Sequence, residues 1–232
     1  TMGATGWSYA STLPYFRRGE TRIPAGDARY RGDAGPLQVT KAHPHGPFQH
    51  AFLEAGSAHP SGVPDDPNGF RQEGFFTCDQ TIGHGLRVST DRAYLRPAMK
   101  RPNLDVRTGV HVTSIDFDGR RATGISYRKG GRNGARRTLK ASREVILCGG
   151  SYNSPQLLQI SGIGPPEVLG SLGIQVRHAL AGVGENLKDH YAPRFAARVK
   201  NIETINERTR GLKLATEVAK WAFQRKGILA LS

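Results

Sequence analysis

An apolar run that ends in two glycines is the part of this sequence most suited to holding a cofactor. The segment Glu144–Gly150 reads EVILCGG, and Ser154-Pro155 with the run LLQI follows it. The apolar run predicts a buried strand, and Ser154-Pro155 predicts the N-cap and first position of a helix. Glycines let a cofactor approach the backbone, and a helix N-terminus adds partial positive charge. The pattern predicts the strand-to-helix corner of a nucleotide-binding sheet, or, more simply, an ordinary turn.

The cysteines and histidines do not have the spacing of a metal site. Cys78 and Cys148 are the two cysteines, too far apart for a zinc knuckle or a CxxC redox pair. We interpret them as buried free thiols, with a structural disulfide as the open alternative. We therefore predict no metal in this chain.

The charge balance is strongly basic, with a net charge of +14 and an isoelectric point near 10.3. Such a charge is typical of proteins that meet nucleic acid or an anionic membrane surface. The densest basic run, residues 128–140, is interleaved with glycines, which favours a solvated turn between strands over a polyanion contact. No apolar stretch reaches the roughly 20 residues of a membrane helix. We expect a cytoplasmic protein without a nucleic-acid partner, and leave peripheral membrane association open.

The predicted secondary structure changes along the chain, from mainly helices before Asn103 to mainly short strands after it. Apolar periodicity predicts helices over residues 7–19, 47–58, 89–100 and 211–225, with a short one near 166–173. The helix over 211–225 is amphipathic, with Glu217 on its outer, polar face. A strand is predicted over 37–40, and a half-buried one over 194–200. After Asn103 a series of short strands follows, with Asp118-Gly119 as a hairpin turn. The predicted strands of this series are LDVRT, VTSIDF, RATGISY, RTLKA and EVILCGG, followed by IQVRHAL.

Four ordered segments resemble the glucose-methanol-choline (GMC) oxidoreductases, and most closely their choline-dehydrogenase-like members. Residues 150–164, GSYNSPQLLQISGIG, are similar to a long signature of that family. The other three are residues 6–16 (GW-Y with LPYF), residues 101–124 (RPNL with DGRRATG) and residues 182–190 (GVGENLKDH). The resemblance extends over nearly the whole chain.

The resemblance implies a mixed α/β fold, part of a doubly wound FAD-binding domain interleaved with an antiparallel-sheet substrate domain. Residues 1–88 are then a substrate-domain or covering segment, and 89–190 part of the FAD-binding domain. Residues 191–232 begin the sheet and helix of the substrate domain.

The resemblance also implies a reaction. A member of this family oxidises the CH–OH group of a primary alcohol by hydride transfer to FAD, and the sequence does not identify the electron acceptor. On the matching positions, Val112 would contact the adenine end, and Cys148, Gly149 and Gly150 would line the dinucleotide. His190 would approach the substrate side of the flavin, or else satisfy a turn with Asp189 or Asn186.

Two motifs of the family are missing from this sequence: a GxGxxG fingerprint and the catalytic histidine of the C-terminal part. We therefore expect a central fragment that is inactive and flavin-free in isolation, with no catalytic residue of its own. The alternative is a non-catalytic remnant, or one half of a split enzyme completed by a second chain. Choline-specific members also carry a glutamate where this chain has Ala192, which favours a neutral primary alcohol over choline.

Overall fold

The computed structural model describes residues 5–42, 46–131, 133–195 and 198–230. The chain divides into two units, one of Thr1–Asp105 with Ala197–Ser232 and the other of Val106–Ala196. Helices and small sheets occur in both, so the predicted mixed α/β class is confirmed. The assignment of 1–88, 89–190 and 191–232 to substrate and FAD-binding domains stays a prediction. Within the described ranges, no helix is long and apolar enough to cross a membrane.

The helices and strands are short. The helices are α1 (Tyr9–Gly19), α2 (Pro47–Ser57), α3 (Arg96–Ala98, preceded by a π-helical turn Asp91–Leu95), α4 (Gly150–Ile160), α5 (Pro166–Ser171), α6 (Ile205–Arg208) and α7 (Gly211–Gln224). The strands are β1 (Glu20–Ile23), β2 (Leu37–Thr40), β3 (Ile82–Gly83), β4 (Leu86–Arg87), β5 (Val110–Asp118), β6 (Arg121–Lys129), β7 (Arg136–Lys140), β8 (Ile163–Gly164) and β9 (His178–Ala179).

In the first unit, α1 leads directly into a parallel pair of strands. The Ser8 hydroxyl caps α1 by accepting a hydrogen bond from the Ser11 N–H at 3.2 Å, so the helix begins two residues later than predicted. Strand β2 has the predicted bounds. It pairs in parallel with β1, from Glu20 opposite Leu37 to Ile23 opposite Thr40.

Two buried arginines hold this unit together. Arg22 and Arg31 are only 3% and 8% exposed. Both donate to one carboxylate oxygen of Asp79, Arg22 from Nε at 2.9 Å and Arg31 from a terminal guanidinium nitrogen at 2.6 Å. Arg31 also lies 3.3 Å from Glu20 and 3.4 Å from Asp66. Burial alone would lower the pKa of Arg22, but the carboxylates of Asp79 and Asp66 raise it above its ordinary value, so the guanidinium stays charged.

Replacement of Asp79 tests this cluster. Asp79→Asn leaves two buried guanidinium groups without their shared counter-charge, and we expect it to lower the free energy of unfolding by about 3–5 kcal/mol. The control is Asp65→Asn, which breaks an ion pair with Lys41 where Asp65 is 89% exposed. That control should cost less than about 1 kcal/mol. Equal losses in chemical denaturation would contradict the structural role of Asp79.

Helix α7 buries an acidic residue that its sequence pattern places outside. Glu217 is 2% exposed. Its carboxylate accepts hydrogen bonds from Arg208 at 2.5 Å, Lys220 at 3.1 Å and the Ile228 N–H at 3.1 Å. The prediction of an exposed Glu217 is wrong because the chain after α7 folds back and presents a backbone donor to the carboxylate. The Trp221 indole meanwhile donates to the Gly85 carbonyl at 3.3 Å, which fixes α7 to the turn between β3 and β4.

Glu217 makes the stability of this unit dependent on pH. The Arg208 hydrogen bond, opposed by burial and aided by the Ile228 N–H, lowers the pKa of Glu217 from 4.5 to about 2. A lowered carboxylate pKa stabilises the fold fully above the unfolded value of 4.5, and this contribution is lost as the pH falls from 4.5 towards 2. We expect Glu217→Gln to be destabilised at neutral pH and to lose less stability than the wild type across that interval. Denaturation at a series of pH values measures both, and parallel curves would contradict the assignment.

The second unit is organised by an antiparallel sheet in the order β5-β6-β7. The predicted Asp118-Gly119 hairpin is present, with Asp118 opposite Arg121 and Gly119 in the left-handed region at φ 54°. A register shift between Val112 and Ser114 makes a bulge in β5. Bulges re-aim side chains and are frequent beside binding sites.

Three predicted strands are absent from the structure. Residues 104–108 and 144–148 are extended but have no ladder partner among the described residues, and Ile146 is 73% exposed. The described part of 194–200 also lacks a strand, and residues 196 and 197 lie outside the described residues. A strand assignment requires hydrogen bonds to a neighbouring strand, and apolar composition alone does not supply one. Cys78 and Cys148 are free, as predicted, but both are exposed, so their predicted burial is wrong.

Candidate functional site

A cavity of about 620 Å³ lies in the second unit. One side is the start of β5 with Ile125 of β6, another is the extended segment Val145–Gly149, and the third is α4. Most of the lining is aliphatic, and polar groups enter mainly from the first turns of α4. Its size falls within the range of small-molecule and cofactor sites. A partly apolar cleft with a few polar groups suits a flat, hydrogen-bonding ring system.

The cavity gathers three of the four residues predicted to bind the cofactor. Val112 lines it from β5, and Cys148 and Gly149 line it from the segment before α4. Gly150 does not line the cavity. It is the first residue of α4, has φ 81°, and a side chain there would meet nothing within 4 Å. Its backbone is therefore open to a ligand that approaches the helix end.

The corner between Gly149 and α4 differs from the prediction in one respect. Gly149 occupies the N-cap, and the helix begins at Gly150, five residues before Pro155. The Ser154 hydroxyl accepts a hydrogen bond from the Gly149 N–H at 3.0 Å. The predicted N-cap at Ser154 is therefore wrong: the helix has already begun at Gly150, and the Ser154 side chain folds back to the backbone of the N-cap residue. A Cβ on Gly149 would lie 3.0 Å from the Asn153 Cβ and 3.2 Å from the Ser154 nitrogen, so a side chain here would force its neighbours to shift by a few tenths of an ångström.

The position of α4 is fixed by two polar residues at its C-terminal end. The hydroxyl of Ser161, 5% exposed, accepts from the Ile115 N–H of β5 at 2.9 Å and donates to the Leu157 carbonyl at 2.6 Å. The Gln159 side chain donates to the Val183 carbonyl at 3.1 Å, in the glycine turn that follows β9. The strand side and the helix side of the cavity are thus joined by a buried hydrogen bond.

Four polar lining residues escaped the sequence prediction: His111 on β5, and three residues on α4. Asn153, Ser154 and Gln156 belong to the cavity wall, and all three lie inside the signature at residues 150–164. The family signature therefore marked this stretch of sequence. Which of its side chains face the cavity could not be assigned before the first residue of α4 was known. Helical geometry then places residues three apart, such as Asn153 and Gln156, on one face.

His190 lies away from this cavity, in an exposed extended segment of the same unit. Its backbone N–H donates to the Asp189 carboxylate at 2.8 Å. The alternative prediction, that His190 satisfies a turn with Asp189, is therefore matched in part. The hydrogen bond comes from the backbone N–H of His190 and does not involve the imidazole ring. Ala192 is also exposed. The structure does not bring His190 together with Val112 and Cys148.

A second cavity, of about 680 Å³, lies in the first unit against α1. Its walls are aromatic, with Trp7, Tyr15 and Phe16 from the predicted GW and LPYF motifs and Tyr94 from the π-helical turn. Glu20 is its one acidic lining residue, and that carboxylate accepts from the Gly32 N–H at 3.1 Å and pairs with Arg31. The cavity is shaped for an apolar occupant and offers no free base. Among the described residues, no group of three or more His, Cys, Asp or Glu side chains is arranged to hold a metal ion.

Comparison with known proteins identifies the family of this chain. The family model for GMC oxidoreductases matches residues 1–192. The chain belongs to the GMC oxidoreductase family. It is 44% identical, over 229 residues, to an oxygen-dependent choline dehydrogenase of Staphylococcus saprophyticus, which covers 98% of this chain and 40% of that protein. The family resemblance of the sequence motifs is thereby confirmed.

Solved structures of GMC-like oxidoreductases share the backbone arrangement. An FAD-dependent oxidoreductase from Chaetomium thermophilum has a TM-score of 0.85 and 28% identity, covering 99% of this chain and 42% of that chain. Pyridoxine 4-oxidase from Mesorbium loti has a TM-score of 0.67 and 29% identity, covering 73% of this chain and 33% of that chain. The GMC member described here spans about 40% of the length of the curated relatives that it matches.

Proposed function

We propose that this GMC chain forms part of an FAD-dependent oxidoreductase that acts on the CH–OH group of a primary alcohol. The observation that carries the proposal is the cavity that gathers Val112, Cys148 and Gly149 beside the N-terminus of α4. Relatives named as choline dehydrogenases and a neighbour named as an FAD-dependent oxidoreductase support the reaction and the cofactor.

The residues of this cavity fit the dinucleotide part of FAD. Val112 and its aliphatic neighbours on β5 would cover the adenine ring, while Cys148, Gly149 and Gly150 would contact the adjoining sugar and phosphate through their backbone. A side chain at Gly149 would crowd Asn153 and Ser154, and the helix N-terminus favours negative charge. When bound, FAD supplies the hydride acceptor for alcohol oxidation. The contribution of these residues is to bind and orient the cofactor, and we assign no catalytic base to this chain.

Flavin content in the full-length protein tests the proposal. Gly149→Val would drive a branched side chain into Asn153 and the Ser154 backbone. We expect it to lower bound FAD per protein at least tenfold, as measured by flavin absorbance after purification. The matched control is Gly170→Val in α5, where a Cβ would meet nothing within 4 Å, and which should keep its flavin. Equal flavin content in both variants, with circular dichroism like the wild type, would refute the FAD site.

A second candidate is one half of a split enzyme, completed by another polypeptide. The extended segment Val145–Cys148 favours it, because this apolar run has no ladder partner within the described residues and exposes Ile146. The two candidates differ in their behaviour on mixing with alcohol under anaerobic conditions. Bleaching of bound flavin in the purified full-length protein supports the first. An inert protein that gains flavin and activity only with a second chain supports the split enzyme.

The substrate is proposed to be a neutral primary alcohol. In the segment 187–195 the one carboxylate is Asp189, which already accepts the His190 N–H, and the position two residues after His190 is Ala192. His190 would then face the alcohol side of the flavin without a counter-charge for a quaternary ammonium group. The choline named for the relatives would lack its ion pair here.

A single substitution tests this specificity. Ala192→Glu in the full-length protein adds a carboxylate near His190, and we expect kcat/KM for choline to rise about tenfold relative to that for an uncharged primary alcohol. Ala192→Gln is the control, since it adds similar bulk without charge and should leave the ratio unchanged. Wild-type protein that oxidises choline far better than uncharged alcohols would sink the proposal.

The exposed free thiols of Cys78 and Cys148 support a reducing, cytoplasmic location. Contact with a membrane would then be peripheral.

A further inference from the structure

The basic run of the sequence forms a surface outside the lining of the proposed cofactor cavity. We define the basic hairpin as residues 128–140, the end of β6, the glycine turn and β7; Arg132 lies outside the described residues. All five residues of β7 are exposed. Strand β7 pairs only with β6 within the described sheet, so its outer edge is also exposed. The cations described on the basic hairpin are Arg128, Lys129, Arg136, Arg137 and Lys140.

Like charges face each other directly across this hairpin. Arg128 of β6 is opposite Arg136 of β7 in the sheet. Like charges in a directly opposed pair destabilise a sheet. The partners of both arginines are neutral: Arg128 donates to the Gly134 carbonyl at 2.8 Å, and Arg136 donates to the Ser126 hydroxyl at 3.0 Å.

The carboxylate of Asp116 is linked to this pair of arginines only through the Ser126 hydroxyl. Asp116 accepts from the Ser126 hydroxyl at 2.9 Å and makes no ion pair with Arg136. Within the described part of the chain, none of the five hairpin cations forms an ion pair. The positive charge of the hairpin is therefore available to an external anion.

Protection of an edge strand accounts for only part of this pattern. Lysine and arginine on an exposed edge prevent pairing with other chains, which explains charges on β7. It does not explain Arg128, which lies on the central strand and faces Arg136 at an energetic cost. A local conflict of this kind is expected where a surface has a binding role.

We propose that the basic hairpin docks the protein on an anionic phospholipid surface. Several unpaired cations on one exposed ribbon suit a plane of lipid phosphates and carboxylates. Leu139, 44% exposed between Arg137 and Lys140, adds an apolar group that can enter the interfacial layer. A single-stranded nucleic acid fits less well, because base stacking needs exposed aromatic rings and the one aromatic residue of β6 and β7, Tyr127, is 6% exposed.

Vesicle co-sedimentation tests this surface. The protein should bind vesicles of phosphatidylcholine mixed with phosphatidylserine at low salt, bind pure phosphatidylcholine weakly, and dissociate as NaCl is added. The triple variant R136Q/R137Q/K140Q removes three exposed cations, and we expect its affinity to fall roughly 100-fold. The variant R136K/R137K keeps the charge and should bind like the wild type.

The matched control removes the same three units of charge elsewhere. Arg87, Lys100 and Arg101 are exposed in the first unit, and R87Q/K100Q/R101Q should weaken vesicle binding less than about threefold. Circular dichroism of every variant should match the wild type, because all the replaced side chains are exposed.

Three outcomes would overturn the proposal. The first is absence of binding to the anionic vesicles. The second is an equal loss in both triple variants, which would mean that net charge alone drives association. The third is an oligonucleotide that displaces the protein from vesicles and whose own binding needs Arg136, Arg137 and Lys140, which would assign the hairpin to nucleic acid.

Discussion

The first unit depends on a pair of buried guanidinium groups that share one carboxylate. Its strands are two to four residues long, and its described apolar core contains few buried side chains: Val39, Ile82, Ala93 and Ile228. Arg22 on β1 and Arg31 beyond it both bind Asp79, which comes from a distant part of the chain. Removing charges from water is costly, so the cluster adds little net stability compared with an apolar core. The cluster does specify which loops pack together, because a different packing of these loops would leave a buried charged side chain without its ion-pair partner.

The second unit places its candidate cofactor site by a different means. The Ser161 hydroxyl at the end of α4 accepts a hydrogen bond from the Ile115 N–H of β5. This bond fixes the spacing between the strand and the helix that form two walls of the cavity. At the other end of the helix, the corner at Gly149 is tightly packed against Asn153 and Ser154, and Gly150 leaves the backbone open. The proposed FAD contacts are therefore mostly backbone contacts, whose geometry is set by turns and helix start. The basic hairpin extends from the same sheet, so cofactor binding and membrane docking would share one scaffold.

Local sequence signals predicted elements whose hydrogen bonds are local. The hairpin at Asp118-Gly119 and the helices over 9–19, 47–57 and 211–224 follow from turn chemistry and helical periodicity within the segment itself. The segment Val145–Cys148 failed as a predicted strand because a strand needs a partner that composition does not reveal. Glu217 was misplaced for a similar reason: its donors, Arg208 and Ile228, lie outside the helix.

The sequence by itself determined the family, through four ordered motifs, and it named Val112, Cys148, Gly149 and Gly150 as the cofactor residues to be tested. It also determined the elements whose stabilising bonds lie within a few residues of one another. Tertiary structure alone decided that three of those residues share one cavity, that His190 lies apart from it, and that α4 begins at Gly150 and not after Ser154. These features depend on contacts between residues distant in sequence, or on the direction of a single side chain. Neither long-range contacts nor side-chain directions can be inferred from a linear pattern of residue types alone.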